Sequence, residues 1–275
     1  MIDAGATIGD LQTTLPLEAL ERRILLCHAL GLTRVGLITQ SERTLTETQA
    51  ATLLALVARR LQGEPIAYIV GKREFFGLDF RVTNDVLIPR PDTELLVELA
   101  LERVAPRGRV LDMGTGSGAI AVAVAHSLPG AEVSALDVSE AALDVARQNA
   151  AANGATVRFV QSDWFAALSA KGCDRFDLIA SNPPYIADGD AHLSAGDLRF
   201  EPAGALTDYG DGLSALRTIV AGAAPHLVAG GWLLMEHGYD QAAQVRHLLQ
   251  EKGYTEVQSW RDLAAIERVS GGRAR

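Results

Sequence analysis

The chain has 275 residues, of which 48% are hydrophobic and 21% charged, so it can form one large domain, or one domain with a smaller partner, around a substantial core. Its formal net charge of −9 argues against tight, unassisted binding to bare nucleic acid and favours a small molecule or a basic protein partner. The sequence shows no apolar run of membrane-spanning length and no signal-peptide pattern at its N-terminus.

Cysteine and histidine usage indicates a reducing compartment and no metal. Cys27 and Cys173 lie far apart in the sequence, which indicates reduced thiols rather than a disulfide framework. The six histidines show no metal-ligand spacing with cysteine, so we expect no zinc site. Together these features predict a cytoplasmic protein without membrane association.

The first quarter of the chain predicts helices. Apolar side chains recur at three- and four-residue steps over residues 17–30, and Gly31 is a natural helix stop. Thr46 with Gln49 three residues later is a capping-box pattern that begins a second helix. We therefore predict a small all-helical domain over residues 1–65.

Residues 66–90 change character and predict a β-hairpin linker. Their β-prone pieces, separated by glycines, are residues 68–70, 75–76 and 80–82. The proline-rich segment that follows, residues 87–94, is expected to be rigid and extended. Asp92 or Thr93 can cap a helix that begins directly after them.

From about residue 107 to the end, strands and helices alternate, which predicts parallel βαβ units with right-handed crossovers. The predicted strands are residues 109–112, 132–136, 157–161, 176–181, 232–236, 255–260 and 267–270. The predicted helices are residues 119–128, 139–153, 213–228 and 241–252. Since no helix separates the last two strands, we expect the last strand to be antiparallel. The prediction for residues 91–275 is an α/β, Rossmann-like open sheet.

A glycine-rich turn, Gly114-Thr115-Gly116-Ser117-Gly118, lies between the first of these strands and its helix. Glycines here allow a tight turn and close approach of a ligand to the backbone. The turn also satisfies the dinucleotide fingerprint G-x-G-x-x-A, so by itself it does not separate a nicotinamide cofactor from S-adenosylmethionine. Asp137, which ends the second strand, suits a ribose diol in either case.

Asp112, directly before the glycines, favours S-adenosylmethionine, because a carboxylate there would repel a pyrophosphate and attract an ammonium group. Asp163 and Trp164 follow the third strand, where a polar group and an aromatic face could receive an adenine ring. A surface or turn-capping carboxylate is the alternative for Asp112, and core packing is the alternative for Trp164.

Asn182-Pro183-Pro184-Tyr185 follows the fourth strand, at the edge where open α/β sheets bind ligands. Asn182 offers a side-chain carbonyl, and Pro183 offers a backbone carbonyl without a competing N–H. Two such acceptors would fix a planar –NH2 group and turn its face towards an electrophile, while Tyr185 can stack behind it. The motif therefore predicts a clamp for an amide or an adenine amine. A Pro-Pro turn that only closes the strand is the alternative.

With these motifs in this order, the chain resembles class I methyltransferases that use S-adenosylmethionine and, more narrowly, the PrmC/HemK family of protein-glutamine methyltransferases. The strings that carry the resemblance are residues 88–94, 114–118, 161–165, 181–186, 199–202 and 236–238. The resemblance covers nearly the whole chain, including a helical N-terminal domain and a linker of the right size and position, and no motif position departs from it.

The resemblance implies methyl transfer to the glutamine amide in the Gly-Gly-Gln motif of class I peptide chain release factors, with S-adenosylhomocysteine as product. Asn182 and Pro183 would hold the amide, Pro184 would shape the turn, and Tyr185 would line the pocket. The cofactor would contact Asn182 together with residues 114–118, Asp137, Asp163 and Trp164. The helical domain would help to dock the release factor.

Four alternatives remain open. A ribosomal protein could be the glutamine substrate, and an adenine amine of nucleic acid fits the same clamp, although the acidic charge and the lack of a basic reading module count against it. A nicotinamide oxidoreductase would leave residues 182–185 unexplained. A binding module with a relic pocket would leave the intact motifs unexplained. The sequence indicates no role for Arg90, Glu201 or His237.

Overall fold

The computed structural model describes residues 5–168, 175–194 and 196–275. Cys173, expected from the sequence to be a reduced thiol, lies outside these residues. The chain divides into two compact units, Met1–Gly71 and Lys72–Arg275, and each has its own hydrophobic core. Within the described part of the chain, no helix is long and apolar enough to cross a lipid bilayer.

The described part of the first unit is helical, as predicted. Its helices are α1 Ile8–Thr14, α2 Ala19–Leu30, α3 Arg34–Thr39, α4 Glu47–Leu61 and α5 Ile66–Val70. The capping box at Thr46 and Gln49 is confirmed, and α2 ends at Gly31 in the left-handed conformation. These helices bury a shared apolar core that includes Leu25, Leu26 and Leu53.

One strand prediction in this region is wrong. Residues 68–70, interpreted as a β-prone piece of the linker, belong to helix α5, which begins after Pro65 and ends at Gly71 with a positive φ. Ile69 of this helix packs into the helical core. Periodicity cannot separate a short apolar run in a strand from one in a buried helix, so burial against the other helices decides the outcome.

The hairpin itself is confirmed, although it is shorter than predicted. Strands β1 Lys72–Phe75 and β2 Leu78–Arg81 pair antiparallel. Phe75 and Phe80 are buried in the core of the second unit and meet edge to face. The hairpin is therefore anchored to the second unit by its aromatic side chains.

The second unit continues with a seven-stranded sheet and its helices. Its strands are β3 Arg109–Met113, β4 Glu132–Asp137, β5 Val157–Gln161, β6 Phe176–Ser181, β7 Leu227–Glu236, β8 Thr255–Arg261 and β9 Glu267–Arg273. Its helices are α6 Glu94–Arg103, α7 Ala119–Ser127, α8 Glu140–Ala152, α9 Ala203–Leu206, α10 Ser214–Ala223 and α11 Ala242–Glu251.

The strand order is β5-β4-β3-β6-β7-β9-β8, and β3 to β7 pair in parallel. Strand β9 is antiparallel to both of its neighbours, which confirms the predicted antiparallel last strand. The structure adds that β9 is inserted between β7 and β8. The predicted α/β, Rossmann-like sheet is therefore confirmed.

Alternating side chains of the parallel strands face two separate apolar layers. Val110 and Leu178 pack with α6 and α7 on one face, whereas Leu111 and Ile179 pack with α10 and α11 on the other. Burial on both faces holds the strands in register, so the carboxyl ends of β3, β4 and β6 open at one edge of the sheet.

One boundary differs from the prediction. The helix predicted to reach residue 228 ends at Ala223, a short 3₁₀ turn follows over Ala224–His226, and β7 begins at Leu227. Pro225 is the reason, since proline fits the first turn of a helix but not its interior.

Candidate active site

The carboxyl ends of the parallel strands border a cavity of about 310 Å³, a size that suits a small-molecule cofactor. The predicted site residues in its wall are Gly114, Thr115, Gly116, Ser117, Asp137, Asp163, Trp164, Asn182 and Pro184. Gly118, Pro183 and Tyr185 are predicted site residues that lie outside this wall. The structure thus brings most of the predicted residues, drawn from four separate segments, to one cavity.

The three glycines of the loop at residues 114–118 have different roles. All three have a positive φ, which disfavours other residues. A Cβ on Gly114 or Gly116 would meet no atom within 4 Å, whereas a Cβ on Gly118 would come within 3.1 Å of the Ala146 Cβ in α8. The first two glycines therefore leave space in the cavity, and the third allows the loop to pack on α8.

Asp137 links this loop to the next helix. Its Oδ2 accepts a hydrogen bond from the Gly116 N–H at 2.8 Å, and its Oδ1 accepts one from the Ser139 N–H at 2.9 Å. Burial raises the pKa of Asp137, and these backbone hydrogen bonds oppose the rise. Asp137 also lines the cavity, and a carboxylate at this wall fits a ribose diol.

Asp112, interpreted from the sequence as a carboxylate that would attract an ammonium group, does not line the cavity. Its side chain is fully buried, and Oδ2 accepts hydrogen bonds from the Thr115 hydroxyl at 2.6 Å and the Ala121 N–H at 3.2 Å. Burial raises its pKa to about 7. Its Oδ1 has no hydrogen-bond partner. A buried acceptor without a partner under the glycine loop still fits a ligand that carries an ammonium group.

Trp164, for which the sequence left an adenine contact and core packing open, lies between the cavity and the core. It lines the cavity and packs against the apolar layer that contains α10. Its φ is 45°, which is unusual for a bulky residue. The buried Ser162 holds this turn, since its hydroxyl donates to the Trp164 carbonyl at 2.7 Å and accepts from the Ala167 N–H at 3.0 Å. The exposed Asp163 completes this part of the wall.

Asn182 is bound to a residue far away in the sequence. Its Nδ2 donates to the Thr93 hydroxyl at 3.1 Å. Thr93 was predicted as a possible helix cap, but its side chain makes no cap hydrogen bond to α6. It is almost fully buried and lines the cavity beside Asn182. Thr93 is thus a site residue whose role the sequence did not reveal.

Tyr185, the last residue of the motif at residues 182–185, is fixed by side chains outside the cavity wall. The Tyr185 hydroxyl donates to Glu236 Oε1 at 3.2 Å, and burial beside this carboxyl raises the tyrosine pKa. The Gln241 side chain donates to the Tyr185 carbonyl at 3.0 Å and to the Gly212 carbonyl at 3.2 Å. These contacts fix the backbone that follows Asn182.

Arg90 and Glu201 join two sequence motifs at the cavity. Glu201 is buried; its Oε1 pairs with the Arg90 guanidinium and its Oε2 accepts from the Ile88 N–H at 3.0 Å. Burial raises the pKa of Glu201, and Arg90 opposes the rise. Arg90 and Pro202 line the cavity. The ion pair therefore fixes the segment before Thr93 to the segment before α9.

His237 does not line the cavity and instead connects two strands of the sheet. The ring is fully buried, with Nδ1 2.9 Å from the Gly238 carbonyl and Nε2 2.7 Å from the Ser270 hydroxyl. Burial lowers its pKa, so the neutral ring joins β7 to β9. Among the described residues, no three His, Cys, Asp or Glu side chains are grouped as metal ligands.

The fold and this cavity define a class I methyltransferase. Residues 91–211 match the family described as methyltransferase small domain. A solved methyltransferase from Pyrococcus furiosus has the same fold, with a TM-score of 0.55 and 21% identity over 78% of this chain and 96% of that chain. A T. thermophilus 16S rRNA N2 G1207 methyltransferase in complex with AdoMet and guanosine has a TM-score of 0.54 and 25% identity over 74% and 50% of the two chains. A cofactor of the S-adenosylmethionine type belongs to this class.

The comparison with curated proteins is more specific. Residues 10–71 match the PrmC N-terminal domain. The release factor glutamine methyltransferase of Burkholderia pseudomallei is 57% identical over 98% of this chain and 96% of its own length. The protein of the same name from Bordetella pertussis is 56% identical, over 96% and 98%. The chain belongs to the release factor glutamine methyltransferase family.

Proposed function

We propose that this protein transfers the methyl group of S-adenosylmethionine to the side-chain amide nitrogen of the glutamine in the Gly-Gly-Gln motif of class I peptide chain release factors. One observation carries the proposal. Asn182, an acceptor for a planar –NH2 group, lines the same cavity as the glycine loop and Asp137. Relatives at 57% and 56% identity carry the corresponding name. This substrate would be met in the cytoplasm.

In this proposal, the cofactor lies along the glycine loop. Gly114 and Gly116 leave space for it, and Asp137 accepts hydrogen bonds from the ribose. Asp163 and Trp164 form the wall for the adenine. When bound, the cofactor supplies an activated methyl group on a sulfonium, and S-adenosylhomocysteine remains as the product.

The substrate amide is held by acceptors rather than activated by a strong base. An amide nitrogen is a poor nucleophile because its lone pair is delocalised into the carbonyl. The Asn182 side-chain carbonyl and the Pro183 backbone carbonyl would accept the two amide hydrogens and turn the nitrogen towards the methyl group. Such positioning can contribute up to roughly 7–11 kcal/mol. As positive charge develops on nitrogen, both acceptors bind it more strongly.

The direct test is methyl transfer from labelled S-adenosylmethionine to purified release factor, ribosomal protein and DNA in parallel reactions. We expect label in the release factor alone, lost when its motif glutamine is changed to alanine. Label in the ribosomal protein or in DNA, with none in the release factor, would refute the proposed substrate. Label that persists after the glutamine change would refute the proposed acceptor atom.

We propose that the helical unit, residues 1–65 in the sequence analysis, contributes to docking of the release factor. Helix α4 exposes Leu54 and Leu61, at 50% and 58% of their surface, and the intervening Ala58 is also exposed. We expect Leu54→Ser with Leu61→Ser to raise KM for whole release factor and to leave KM for a short glutamine peptide unchanged. Equal effects on both substrates would mean that these side chains only stabilise the fold.

A further inference from the structure

Gln241, which directly precedes α11, directs its buried side-chain amide at three backbone groups. Its Nε2 donates to the Tyr185 carbonyl at 3.0 Å and to the Gly212 carbonyl at 3.2 Å. Its Oε1 accepts a hydrogen bond from the Gly238 N–H at 2.8 Å. Two carbonyls require the –NH2 end and one N–H requires the oxygen, so the amide has a single orientation. Glutamate and methionine have a similar length, but neither can satisfy all three groups.

Two glycines leave the space that this amide occupies. A Cβ on Gly212, whose φ is +76°, would collide with the Tyr185 carbonyl oxygen and lie 3.0 Å from Gln241 Nε2. A Cβ on Gly238 would lie 3.1 Å from Gln241 Oε1. A side chain at either position would therefore displace the amide or its partners. The backbone around Gln241 is thus shaped to receive this one side chain.

The hydrogen bond to Tyr185 restrains the end of the clamp, residues 182–185. Pro183 and Pro184 have no N–H, so no backbone donor of theirs can tie them to a neighbouring segment. Each ring also fixes its own φ, so the direction of the Pro183 carbonyl depends on where the two ends of the clamp are held. One end continues from β6, and Gln241 holds the carbonyl at the other end.

The same amide closes the base of the segment that leads from the clamp towards α10, residues 186–212. At this base, the Ile186 N–H also donates to the Leu206 carbonyl at 3.0 Å. Three residues farther along the segment line the cavity: Pro202, Gly204 and Ala205. Because Gln241 bridges the residue before the segment and the last residue of the segment, it fastens part of the cavity wall to the clamp.

We propose that Gln241 is a positioning residue for methyl transfer, which holds the clamp and the 186–212 segment in one arrangement around the substrate amide. This inference rests on the proposed function and deepens it, because it names a residue that sets the geometry of the acceptors without touching the substrate. Gln241 is not part of the cavity wall. It therefore acts on the substrate only through its bridge, the pair of hydrogen bonds to the Tyr185 and Gly212 carbonyls.

Gln241→Glu tests the bridge directly, because it keeps the shape of the side chain and replaces the –NH2 group by an oxygen. A carboxylate donates no hydrogen bond and a neutral carboxyl donates one, so neither form can bridge two carbonyls. We expect kcat with release factor to fall roughly 10- to 100-fold, the scale of a small misplacement of reacting groups. The KM for release factor and the Kd for S-adenosylmethionine should stay unchanged. Wild-type kcat in Gln241→Glu would overturn the proposal.

Calorimetric titration with S-adenosylmethionine supplies a readout that a purely structural role would not move. It gives the fraction of molecules that bind cofactor, and kcat is then expressed per binding site, so that unfolded protein does not lower it. If Gln241→Glu fails to fold, Gln241→Met replaces it, since this change removes both donors without adding a charge. The same fall in kcat per site is expected, and wild-type kcat per site would overturn the proposal.

Asn153→Asp is the matched control. Asn153 Nδ2 also donates to two backbone carbonyls, those of Asp79 and Asn149, both at 3.0 Å, but Asn153 does not line the cavity. The change removes the same pair of donors at a distance from the clamp, so kcat per site should match wild type. An equal fall in Asn153→Asp and Gln241→Glu would mean that loss of such a pair lowers activity anywhere in the unit, and would overturn the proposal.

Amide hydrogen exchange separates this inference from the proposed function. In wild type, the Gly238 N–H and the Ile186 N–H should be protected, because the first donates to Gln241 and the second directly follows the clamp. Gln241→Met should abolish both protections, whereas the Gly114 N–H, which is bonded to the end of β4 at 2.9 Å, should stay protected. This outcome supports the bridge even if release factor takes up no label, a result that would refute only the proposed substrate. Unchanged protection of Ile186 in Gln241→Met would overturn the bridge even if release factor is methylated.

Discussion

The cofactor side and the substrate side of the cavity are built in different ways. The cofactor side comes from the turn after β3 and the end of β4, and its main polar contacts join Asp137 to backbone N–H groups. The substrate side joins segments distant in the sequence through the buried carboxyls Glu201 and Glu236, which contact Arg90 and Tyr185 at separations of 111 and 51 residues. Local backbone geometry thus shapes one half, and buried ionisable side chains shape the other. Substitutions on the substrate side should therefore change kcat or stability, whereas substitutions on the cofactor side should mainly change the Kd for S-adenosylmethionine.

The largest effect is expected on the substrate side. Asn182→Ala removes one of the two proposed acceptors and should lower kcat about 10²–10³-fold, as loss of an oriented transition-state contact does. The Kd for S-adenosylmethionine should change little, because the glycine loop and Asp137 remain. Single-turnover methylation and calorimetric titration measure the two quantities. Loss of cofactor affinity in proportion to kcat would mean that Asn182 serves the cofactor rather than the amide.

Arg90→Ala should destabilise the protein and do so in a pH-dependent way. It leaves the Glu201 carboxylate buried without its cation, which should lower the free energy of unfolding by about 3 kcal/mol at neutral pH. Loss of the neighbouring positive charge raises the pKa of Glu201 further, so acidification neutralises the carboxyl and reduces the loss. Urea unfolding of wild type and Arg90→Ala at neutral and acidic pH measures this loss of free energy of unfolding. Arg90→Lys is the control and should lose less. An equal loss at both pH values would contradict this account.

On the cofactor side, Asp137→Ala should weaken S-adenosylmethionine binding roughly tenfold to a hundredfold, because it removes charge-assisted hydrogen bonds. At saturating cofactor, kcat should remain close to wild type, in contrast to Asn182→Ala. Asp137→Asn keeps one acceptor oxygen, so its Kd for S-adenosylmethionine should lie between those of wild type and Asp137→Ala. Calorimetric titration tests the role, and an unchanged Kd in Asp137→Ala would exclude a ribose contact.

The smallest effects are expected from two Gly→Ala substitutions, which distinguish loss of space in the cavity from strain in the backbone. Gly116 and Gly253 both have a positive φ and open space around an added Cβ, so either Gly→Ala change should cost about 1 kcal/mol of stability. Only Gly116 lines the cavity, so only Gly116→Ala should also raise the Kd for S-adenosylmethionine. If Gly253→Ala, at the end of α11, raises the Kd as much, the glycine loop does not leave space for the cofactor.

Motifs that follow one another along the chain were predictable. The capping box at Thr46, the hairpin, the alternating strands and helices and the antiparallel last strand are confirmed, because each depends on periodicity or on turn chemistry within a few residues. The burial of Asp112 was not predicted, because burial of a single carboxylate depends on how closely α7 packs on β3. The strand prediction for residues 68–70 was wrong because packing into the helical core, which lies outside this short run, makes these residues helical.

By itself, the sequence determined the fold class, the glycine loop and the acceptor chemistry of Asn182, because these depend on local residue pattern and side-chain type. Only the tertiary structure decided that Thr93 contacts Asn182, that Tyr185 contacts Glu236, and that Glu201 pairs with Arg90. Such contacts join residues whose spacing along the chain carries no periodic signal. They exist because the folded sheet brings the carboxyl ends of β6 and β7 beside the segment before α6, where burial requires each polar group to find a partner.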